Sequence, residues 1–382
     1  MQYRQLGNTG HKVSLLGMGC MRLPFINGDG NNGVDVPAAI EQLQYAADNG
    51  INYFDTAFGY HGGQSEAILG EALESRRNKV LYITKQPSWE MHDIDTLHRN
   101  FENTLKKLRT DYIDAYLMHR VMPTSWSDIK ERKLMDEFQK LKEQGLIRHV
   151  GCSYHGNYDH FKQVVEEYPW ELILVQHNML DINREVTRDG IEFAAKKGIG
   201  LSIMEPLRGG GLAHAPEIVQ NVYNKSDKKR TPAEWALRYL ADIPQISAIV
   251  SGMTTMEQLK QNIELFSQPD MTANHMSEAE KQTIVDARKA YESIVTIPCT
   301  ACDYCVPCPQ GVQIPNIFRL YNDAHRFGHK DQPRRGYMFA TRANGDATKC
   351  NKCGACLKRC PQGVKILQEL ETSHEFLKGW SE

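Results

Sequence analysis

The chain has 382 residues, of which 41% are hydrophobic, and this is enough for one large domain and a smaller one. The formal net charge is −2, so the chain has no overall basic field, and we predict that it does not bind nucleic acid. No apolar run approaches the roughly 20 residues that span a bilayer, and the N-terminal residues lack the apolar core of a signal peptide. We therefore predict a cytoplasmic protein with no membrane partner.

As far as about residue 290, short apolar runs alternate with longer amphipathic stretches. The runs that resemble strands cover residues 14–18, 52–55, 81–84, 112–118, 149–153, 172–176, 200–204 and 246–251. Helical spacing occurs at residues 93–108, 128–144, 187–197 and 231–240. This alternation predicts an α/β fold, a (β/α)8 TIM barrel. A doubly wound sheet is the alternative, but the only early glycine fragment, Gly17-Met18-Gly19-Cys20, is not a complete G-x-G-x-x-G motif.

Four polar residues lie at or just after the ends of the second, third and fourth predicted strands. Asp55, Lys85 and His119 each end an apolar run, and Tyr60 follows Asp55 by five residues. In a barrel of this class, catalytic groups lie at the C-terminal ends of the strands. A purely structural ion pair with a hydrogen-bonded Tyr and His is the alternative. Because the four residues come from consecutive strand ends, we predict that they form a catalytic site.

The segment FDTAFGYHGGQSE, followed by the strand-end lysine and histidine in the same order, resembles the aldo-keto reductases over roughly residues 1–285. The resemblance implies that Tyr60 is the proton donor and that Lys85 lowers its pKa. It also implies that Asp55 holds Lys85, and that His119 orients a carbonyl substrate and assists proton transfer. A phenol with a pKa of about 10 is a weak acid near neutrality. A neighbouring ammonium would stabilise the phenolate, lower that pKa and so make the phenol a better proton donor.

The same resemblance implies a nicotinamide cofactor. The positions that match the family's cofactor contacts are Ser153, Gln176, Met204, Leu207, Gly209, Gly211, Gly252, Thr254, Gln258 and Asn262. Met204 stands where an aromatic ring usually covers the nicotinamide. Gly252 stands where many members have a lysine for the 2′-phosphate, and Gln258 replaces an arginine. Family usage favours NADP(H), and NAD(H) or weak binding of a nicotinamide cofactor are the alternatives.

Eight of the ten cysteines lie in two runs near the C-terminus. They are Cys299, Cys302, Cys305, Cys308, Cys350, Cys353, Cys356 and Cys360. The second run has the spacing C-x2-C-x2-C-x3-C-P, which is typical of bacterial ferredoxins. The first run is one residue shorter in its last gap, and both end in Cys-Pro-Gln-Gly-Val, which suggests an internal duplication. Two [4Fe–4S] clusters are favoured over zinc sites, which usually use separated C-x2-C pairs, and over disulfides.

In the ferredoxin pattern the fourth cysteine of each run binds the other cluster. One cluster would then use Cys360 with the first three cysteines of the first run, and the other would use Cys308 with the first three of the second run. Residues 314–327, between the runs, have helical apolar spacing. The module resembles the α-helical ferredoxins of respiratory oxidoreductases. We therefore predict a barrel domain at residues 1–288 and a small, mainly α-helical ferredoxin-like domain at residues 289–382.

The two predicted domains differ in how many electrons they move at a time. A hydride carries two electrons, whereas a [4Fe–4S] cluster transfers one. A flavin is therefore a further candidate cofactor, as a converter between the two. Three hypotheses follow: a carbonyl reductase whose clusters exchange electrons with a ferredoxin or flavodoxin-type partner, a reductase whose clusters are structural or sense redox state, and a non-enzymatic electron-transfer subunit. The substrate would be a small carbonyl compound or alcohol.

Overall fold

The computed structural model describes residues 1–28, 33–299, 302, 304–328 and 330–378. Eight parallel strands close into a barrel, which confirms the predicted fold class. A short antiparallel hairpin, β1 (Tyr3–Gln5) and β2 (Lys12–Ser14), precedes them. The barrel strands are β3 (Leu16–Gly19), β4 (Tyr53–Asp55), β5 (Leu81–Pro87), β6 (Ile113–Val121), β7 (Ile147–Tyr154), β8 (Leu172–Gln176), β9 (Gly200–Met204) and β10 (Ala248–Ser251). Strand β10 pairs with both β9 and β3, and this closes the barrel.

Helices connect or follow the strands along the chain. From the first barrel strand onward they are α1 (Val36–Asp48), α2 (Ser65–Leu73), α3 (Ile94–Lys107), α4 (Trp126–Glu131), α5 (Leu134–Glu143), α6 (Tyr158–Glu167), α7 (Thr187–Lys196), α8 (Glu217–Lys225), α9 (Pro232–Ala241) and α10 (Met256–Ser267). The remaining helices are α11 (Glu278–Ser293), α12 (Ile314–Phe327), α13 (Asp331–Arg342) and α14 (Ile366–Leu377). In the described part of the chain, no helix is both long and apolar enough to cross a membrane.

Alternate residues of the barrel strands pack into two separate layers, as the two-residue period of a strand requires. Leu81 and Ile83, like Leu172 and Leu174, belong to the layer inside the barrel. Tyr82 belongs to the larger layer that also contains residues of the surrounding helices. Both layers are almost completely buried. The strands are therefore apolar on both faces, so polar side chains at their ends stand out in the sequence.

Local polar residues determine where several barrel helices begin. The side chains of Asp35, Asp93 and Asn157 each accept a backbone N–H of the following turn, at the starts of α1, α3 and α6. The predicted helix over residues 128–144 is interrupted, because Lys133 adopts a left-handed backbone conformation with φ of 53° between α4 and α5. This break has no glycine or proline to announce it in the sequence.

Compactness divides the chain into two units. The first joins Met1–Leu207 with Glu234–Ser277 and contains all the strands of the barrel. The second joins Arg208–Ala233 with Glu278–Glu382 and contains both cysteine runs. The domain boundary predicted between residues 288 and 289 stays a prediction, and α11 runs across it.

Within the second unit, the end of each cysteine run is followed by the same turn and then by a helix. Gly311 and Gly363 have φ of 74° and 61°, and their N–H groups donate to the carbonyl oxygens of Cys308 and Cys360. Helices α12 and α14 then begin two residues after Val312 and Val364. The shared Cys-Pro-Gln-Gly-Val sequence thus has one local structure at two places, as an internal duplication predicts. Helix α12 has the bounds expected from the apolar spacing.

Candidate functional site

Asp55, Lys85 and Tyr60 form a connected group at the C-terminal end of the barrel. The Nζ atom of Lys85 lies 2.6 Å from Asp55 Oδ1 and 3.4 Å from the hydroxyl oxygen of Tyr60. The same ammonium also donates to the carbonyl oxygen of Thr56 at 2.7 Å. The rings of Tyr60 and His119 meet edge to face, with 6.0 Å between their centroids. The structure therefore brings the four residues predicted from consecutive strand ends together.

The strand register explains this convergence. Asp55 is the last residue of β4, and β4, β5 and β6 are neighbours in the barrel. Lys85 and His119 lie two residues before the ends of β5 and β6, and Pro87 of β5 is in register with His119. Tyr60 lies in a helical turn after β4 in which His61 and Gly62 have positive φ angles of 52° and 63°. That turn leads the chain back over the strand ends.

Burial dominates the electrostatics of the group. Burial raises the pKa of the Tyr60 phenol, and Lys85 opposes this rise without cancelling it. For Lys85, burial lowers the pKa, but the attraction of Asp55 prevails and leaves the ammonium pKa above its ordinary value. Burial, with the positive charge of Lys85, holds the pKa of His119 well below its ordinary value. The site thus contains a protonated phenol, a charged lysine and a neutral imidazole near pH 7.

Two residues that the sequence did not single out lie beside His119. The ring of Trp89 is 5.5 Å from the His119 ring, and the guanidinium carbon of Arg120 lies 5.5 Å from the centre of the Trp89 ring. The side chain of Trp89 is 47% exposed, which is high for so large an apolar group. An exposed aromatic ring at the mouth of a barrel can form one wall of a binding site. No spacing rule marks Trp89 in the sequence, because it lies in a loop turn after β5.

Ser153 and Gln176 lie at or next to the ends of β7 and β8, as expected for carboxamide contacts. The hydroxyl oxygen of Ser153 accepts the backbone N–H of Arg120 at 2.8 Å. The amide nitrogen of Gln176 donates to Asp181 Oδ2 at 2.9 Å. Within the described residues, Gln176 Oε1 is buried and has no hydrogen-bond partner. Sequence reasoning missed Asp181, although Asn178, three residues before it, has the side-chain-to-backbone bonds of a turn.

The residues predicted to bind the adenosine end of the cofactor lie around the start of α10. Gln258 forms a capping box with Thr255, and its Oε1 also accepts the N–H of Thr254 at 2.9 Å. Asn262 Nδ2 lies 3.5 Å from Ser251 Oγ. A Cβ atom added to Gly252 would lie 3.1 Å from Cβ of Arg22, so the arginine side chain passes against this glycine. Gln258 therefore also stabilises the start of α10, a role that the sequence analysis did not predict.

Met204 ends β9 and packs on the apolar layer inside the barrel, and Leu207 follows three residues later. Gly209 and Gly211 belong to the second compact unit. A Cβ atom at Gly209 would lie 2.2 Å from Nε2 of Gln332, and one at Gly211 would lie 3.0 Å from Phe327. Close packing on α12 and α13 therefore explains why both positions are glycine, whether or not they bind a cofactor. Their predicted contact with a pyrophosphate stays a prediction.

The cysteines of the two runs line two cavities within the second unit. One cavity is lined by Cys305, Cys308, Cys350, Cys353 and Cys356. The other is lined by Cys299, Cys302, Cys305 and Cys360. Their empty volumes, open mouths included, are similar at about 390 and 350 Å³. Cys308 thus lies with the second run and Cys360 with the first, which is the grouping expected from crossed ligation.

The arrangement of donors suits clusters better than single ions. Zn²⁺ draws four ligands to within about 2.3 Å of one point, whereas four irons and four sulfides keep their thiolates farther apart. Over the residues that the structure describes, no three His, Cys, Asp or Glu side chains converge on a single-ion position. The donor set is nevertheless all thiol, in two cavities walled by apolar residues such as Ile314. Thiolates are the usual ligands of iron–sulfur clusters, so the residues present fit that group.

Comparison with known proteins agrees with this description. Residues 15–282 match the model of the aldo/keto reductase family, and residues 298–365 match a 4Fe-4S dicluster domain. The chain therefore belongs to the aldo/keto reductase family and has a 4Fe-4S dicluster domain after its barrel. Family membership makes it an oxidoreductase enzyme, which removes the hypothesis of a non-enzymatic subunit.

Three relatives illustrate the extent of the similarity. An uncharacterized oxidoreductase of Bacillus subtilis, YqkF, is 27% identical over 77% of this chain and 100% of its own length. The aldo-keto reductase AKR11C1 from Bacillus halodurans, in its holo form, superimposes with a TM-score of 0.63 at 24% identity over 76% of this chain and 97% of its own. An aldo-keto reductase from Klebsiella pneumoniae in complex with NADPH gives 0.60 at 20% identity, over 74% and 94%. At these identities, the two solved structures establish the fold.

Proposed function

We propose that this protein interconverts a small carbonyl compound and its alcohol with NADP(H), and that two [4Fe–4S] clusters in its C-terminal domain exchange electrons with a redox partner. The observation that carries the first half is the contact of Lys85 with both Asp55 and Tyr60, beside the ring of His119. A buried ammonium held by a carboxylate and adjoining a phenol is an arrangement suited to proton transfer.

In the reductive direction, Tyr60 would donate its phenolic proton to the carbonyl oxygen as that oxygen gains negative charge. A bound nicotinamide would supply the hydride to the carbonyl carbon. Lys85 would stabilise the phenolate that Tyr60 becomes, and Asp55 would keep Lys85 charged and in position. His119, neutral because burial and Lys85 lower its pKa, would donate a hydrogen bond that orients the carbonyl oxygen.

The residues at the ends of β7 and β8 fit a nicotinamide carboxamide. Gln176 Oε1, buried without a partner among the described residues, would accept its N–H, and the Ser153 hydroxyl would donate to its oxygen. Leaving such a buried acceptor unpaired costs free energy, on the order of 1–3 kcal/mol. A ligand that supplies the missing donor therefore accounts for it. Met204 would cover one face of the ring, with less specificity than an aromatic side chain.

Arg22 supports NADP(H) over NAD(H). The family lysine that meets the 2′-phosphate is replaced by Gly252, and the side chain of Arg22 passes over that glycine. A guanidinium there would offer the charge that the lysine supplies elsewhere, and guanidinium groups bind phosphates well. The relative from Klebsiella pneumoniae was solved with NADPH. NAD(H) is the alternative that a direct titration tests.

For the clusters, Cys299, Cys302, Cys305 and Cys360 would hold one, and Cys308, Cys350, Cys353 and Cys356 the other. Bound clusters supply one-electron transfer. The packing favours a second, structural function. Cys356 belongs to the buried core of the C-terminal unit, and Cys305, Cys308 and Cys350 of its cavity pack against that core. Clusters at these positions would hold the unit together even without electron transfer.

The experiment that tests the proposal begins with protein purified under strict exclusion of oxygen. We expect about eight iron and eight sulfide per chain, from two four-iron clusters, and the same preparation is analysed for flavin, the candidate converter between two-electron and one-electron transfer. Fluorescence titration should show tight binding of NADPH and weaker binding of NADH. Failure of both nucleotides to bind would contradict the nicotinamide assignment. A redox titration with substrate present would separate the two roles of the clusters, because structural clusters keep one oxidation state during turnover.

A further inference from the structure

The two cysteine runs share a motif and a turn but differ in charge. Residues 299–313 of the first run contain no lysine or arginine and one acidic residue. Residues 349–365 of the second run contain no acidic residue. Their cations form a group that we call the basic rim, namely Lys349, Lys352, Lys358, Arg359 and Lys365. Duplication of a ligand motif does not require this difference, so the rim calls for an explanation of its own.

All five cations of the basic rim are exposed. Lys352 is paired with Glu371 at 2.6 Å, but within the described parts of the chain no ion pair involves Lys349, Lys358, Arg359 or Lys365. Elsewhere in this unit, charged side chains are often paired, as Arg319 and Arg208 both are with Asp323. Unpaired like charges repel one another, and a surface that keeps them together is suited to binding an opposite charge.

Four cations of the rim lie next to second-run cysteines or between them along the chain, and one of the four, Arg359, lines their cavity. Cys353 is exposed, and Arg359 lines the same cavity as Cys350 and Cys356. Leu357, between Cys356 and Lys358, is 42% exposed and adds an apolar centre to the charged surface. An apolar centre within a charged margin is the usual anatomy of a protein interface. Each cavity has one exposed thiol, Cys302 or Cys353, so the cations, and not thiol exposure, distinguish the second-run cavity.

We propose that the basic rim is the docking surface for a small acidic electron-carrier protein of the ferredoxin or flavodoxin class, and that electrons pass to or from the second-run cavity rather than the first. This inference rests on the proposed electron-exchange role of the clusters. In each encounter the carrier and the C-terminal domain exchange one electron, one being oxidised as the other is reduced, and no bond is made or broken. Charge complementarity favours an acidic occupant, and the cysteine cavity that Arg359 lines favours an electron carrier over nucleic acid.

The test uses the full-length holoprotein and a purified acidic two-cluster ferredoxin as the probe. A triple variant, Lys349→Glu, Lys358→Glu and Lys365→Glu, reverses three charges of the rim. The matched control reverses three other exposed lysines of the same unit, Lys225→Glu, Lys228→Glu and Lys289→Glu, and so has the same net charge. Binding is measured by isothermal calorimetry at low and high salt, on samples matched for iron and sulfide content.

We expect the rim variant to bind the ferredoxin about 10-fold or more weakly at low salt, and the control about as well as the wild type. The difference should shrink at about 1 M salt, where the Debye length falls to about 3 Å. A basic cytochrome c should not bind. Equal weakening in both variants, or no binding of ferredoxin and of flavodoxin to the wild type, would overturn the proposal.

Single-stranded DNA is titrated in parallel. Tighter binding of DNA than of ferredoxin, lost in the rim variant, would reassign the surface to nucleic acid and also overturn the proposal. Carbonyl reduction with NADPH is measured in every variant. Normal reduction without carrier binding would contradict the docking surface alone, whereas loss of nicotinamide-dependent reduction in the wild type would contradict the proposed function.

Discussion

In the barrel, the side chain of Lys85 is only 1% exposed and lies 2.6 Å from its counter-charge, Asp55. In the C-terminal unit, by contrast, the thiols of Cys302 and Cys353 are exposed, and most cations of the basic rim have no ion pair among the described residues. Buried, paired charges suit a proton and hydride transfer from which water is excluded. Exposed thiols and unpaired cations suit exchange with another protein. The comparison indicates that one chain combines a closed site and an open one.

The largest effect is expected from replacing cysteines of the open site, and these variants also test crossed ligation. Cys302→Ser, Cys353→Ser and Cys360→Ser should each lose about half of the iron, because each thiol holds one of two clusters. The double variant Cys302→Ser with Cys360→Ser should lose no more than either single variant, because both residues would hold the same cluster. The double variant Cys353→Ser with Cys360→Ser should lose nearly all of the iron, because these two residues would hold different clusters. Iron and sulfide analysis of anaerobically purified protein measures this.

The opposite pattern, with complete loss in the first double variant and half in the second, would mean that each run binds its own cluster. Cys152→Ala is the control, since Cys152 is buried in the barrel and lines neither cavity. It should keep all the iron.

Removal of the proposed proton donor should inactivate the closed site in the barrel and leave the clusters intact. Tyr60→Phe should lower the rate of carbonyl reduction by about 10²–10⁴-fold, the usual contribution of a general acid, because no other group replaces the phenolic proton. Iron content and NADPH binding should not change. Tyr45→Phe, a partly buried tyrosine on α1, is the control and should reduce carbonyls at the normal rate. Steady-state kinetics with unaltered activity in Tyr60→Phe would assign the proton to another residue.

The buried ion pair is expected to matter for folding as well as catalysis. Lys85→Met should destabilise the barrel by about 3–5 kcal/mol, because it leaves the Asp55 carboxylate buried without a counter-charge. Adding Asp55→Asn to the same chain should restore much of the loss, because no unpaired charge is then buried. Urea unfolding followed by tryptophan fluorescence measures both variants. A double variant no more stable than the single one would mean that Asp55 is not charged in the folded protein.

The pKa of Tyr60 predicts different pH profiles in the two directions of the reaction. Burial raises this pKa, so the phenol stays protonated through the neutral range and carbonyl reduction should vary little between about pH 6 and 8. Alcohol oxidation needs the phenolate, and its rate should rise about tenfold per pH unit over that range. His119 should add no acidic limb there, because its pKa is lowered. A flat profile for oxidation would contradict Tyr60 as the base.

The smallest effect concerns the choice of nucleotide. Arg22→Gln should weaken NADPH binding by about 10-fold, which corresponds to about 1.4 kcal/mol, and should leave NADH binding nearly unchanged. The reason is that only NADPH has the 2′-phosphate that a guanidinium beside Gly252 would bind. Arg76→Gln, which removes an exposed arginine paired with Asp48, is the control. Equal weakening of both nucleotides would mean that Arg22 supports the loop rather than the phosphate.

The sequence predicted the barrel closely where apolar runs were sharply bounded. Strands β8 and β9 have the predicted bounds, and β5 and β6 extend past theirs because polar residues such as Lys85 and His119 continue the strand. The short hairpin of β1 and β2 was missed, since three-residue strands carry too little pattern. Helix α13 was also missed because its sequence, with three arginines and few apolar residues, is polar overall.

The candidate site was predictable as far as its residues follow strand ends. Asp55, Lys85 and His119 are recognisable because strand ends in a barrel converge. Contacts between residues distant in the sequence were not predictable. The packing of Gly209 on Gln332 and the passage of Arg22 over Gly252 depend on three-dimensional proximity. The sequence comparison with the family implied that Lys85 lowers the Tyr60 pKa, but that pKa is raised overall because burial outweighs the effect of Lys85. The sequence shows the neighbouring lysine but not the extent of burial.

The roles of Tyr60 and the nicotinamide are tested most directly by following carbonyl reduction by NADPH together with the visible absorbance of the clusters. The measurement is made under strict exclusion of oxygen, in the wild type and in Tyr60→Phe. We predict that the wild type consumes one NADPH per alcohol formed, that Tyr60→Phe consumes almost none, and that both proteins contain the same clusters. Reduction of the carbonyl by Tyr60→Phe at the wild-type rate would contradict Tyr60 as the proton donor, and reduction by the wild type without any nicotinamide would contradict the nicotinamide as the hydride donor.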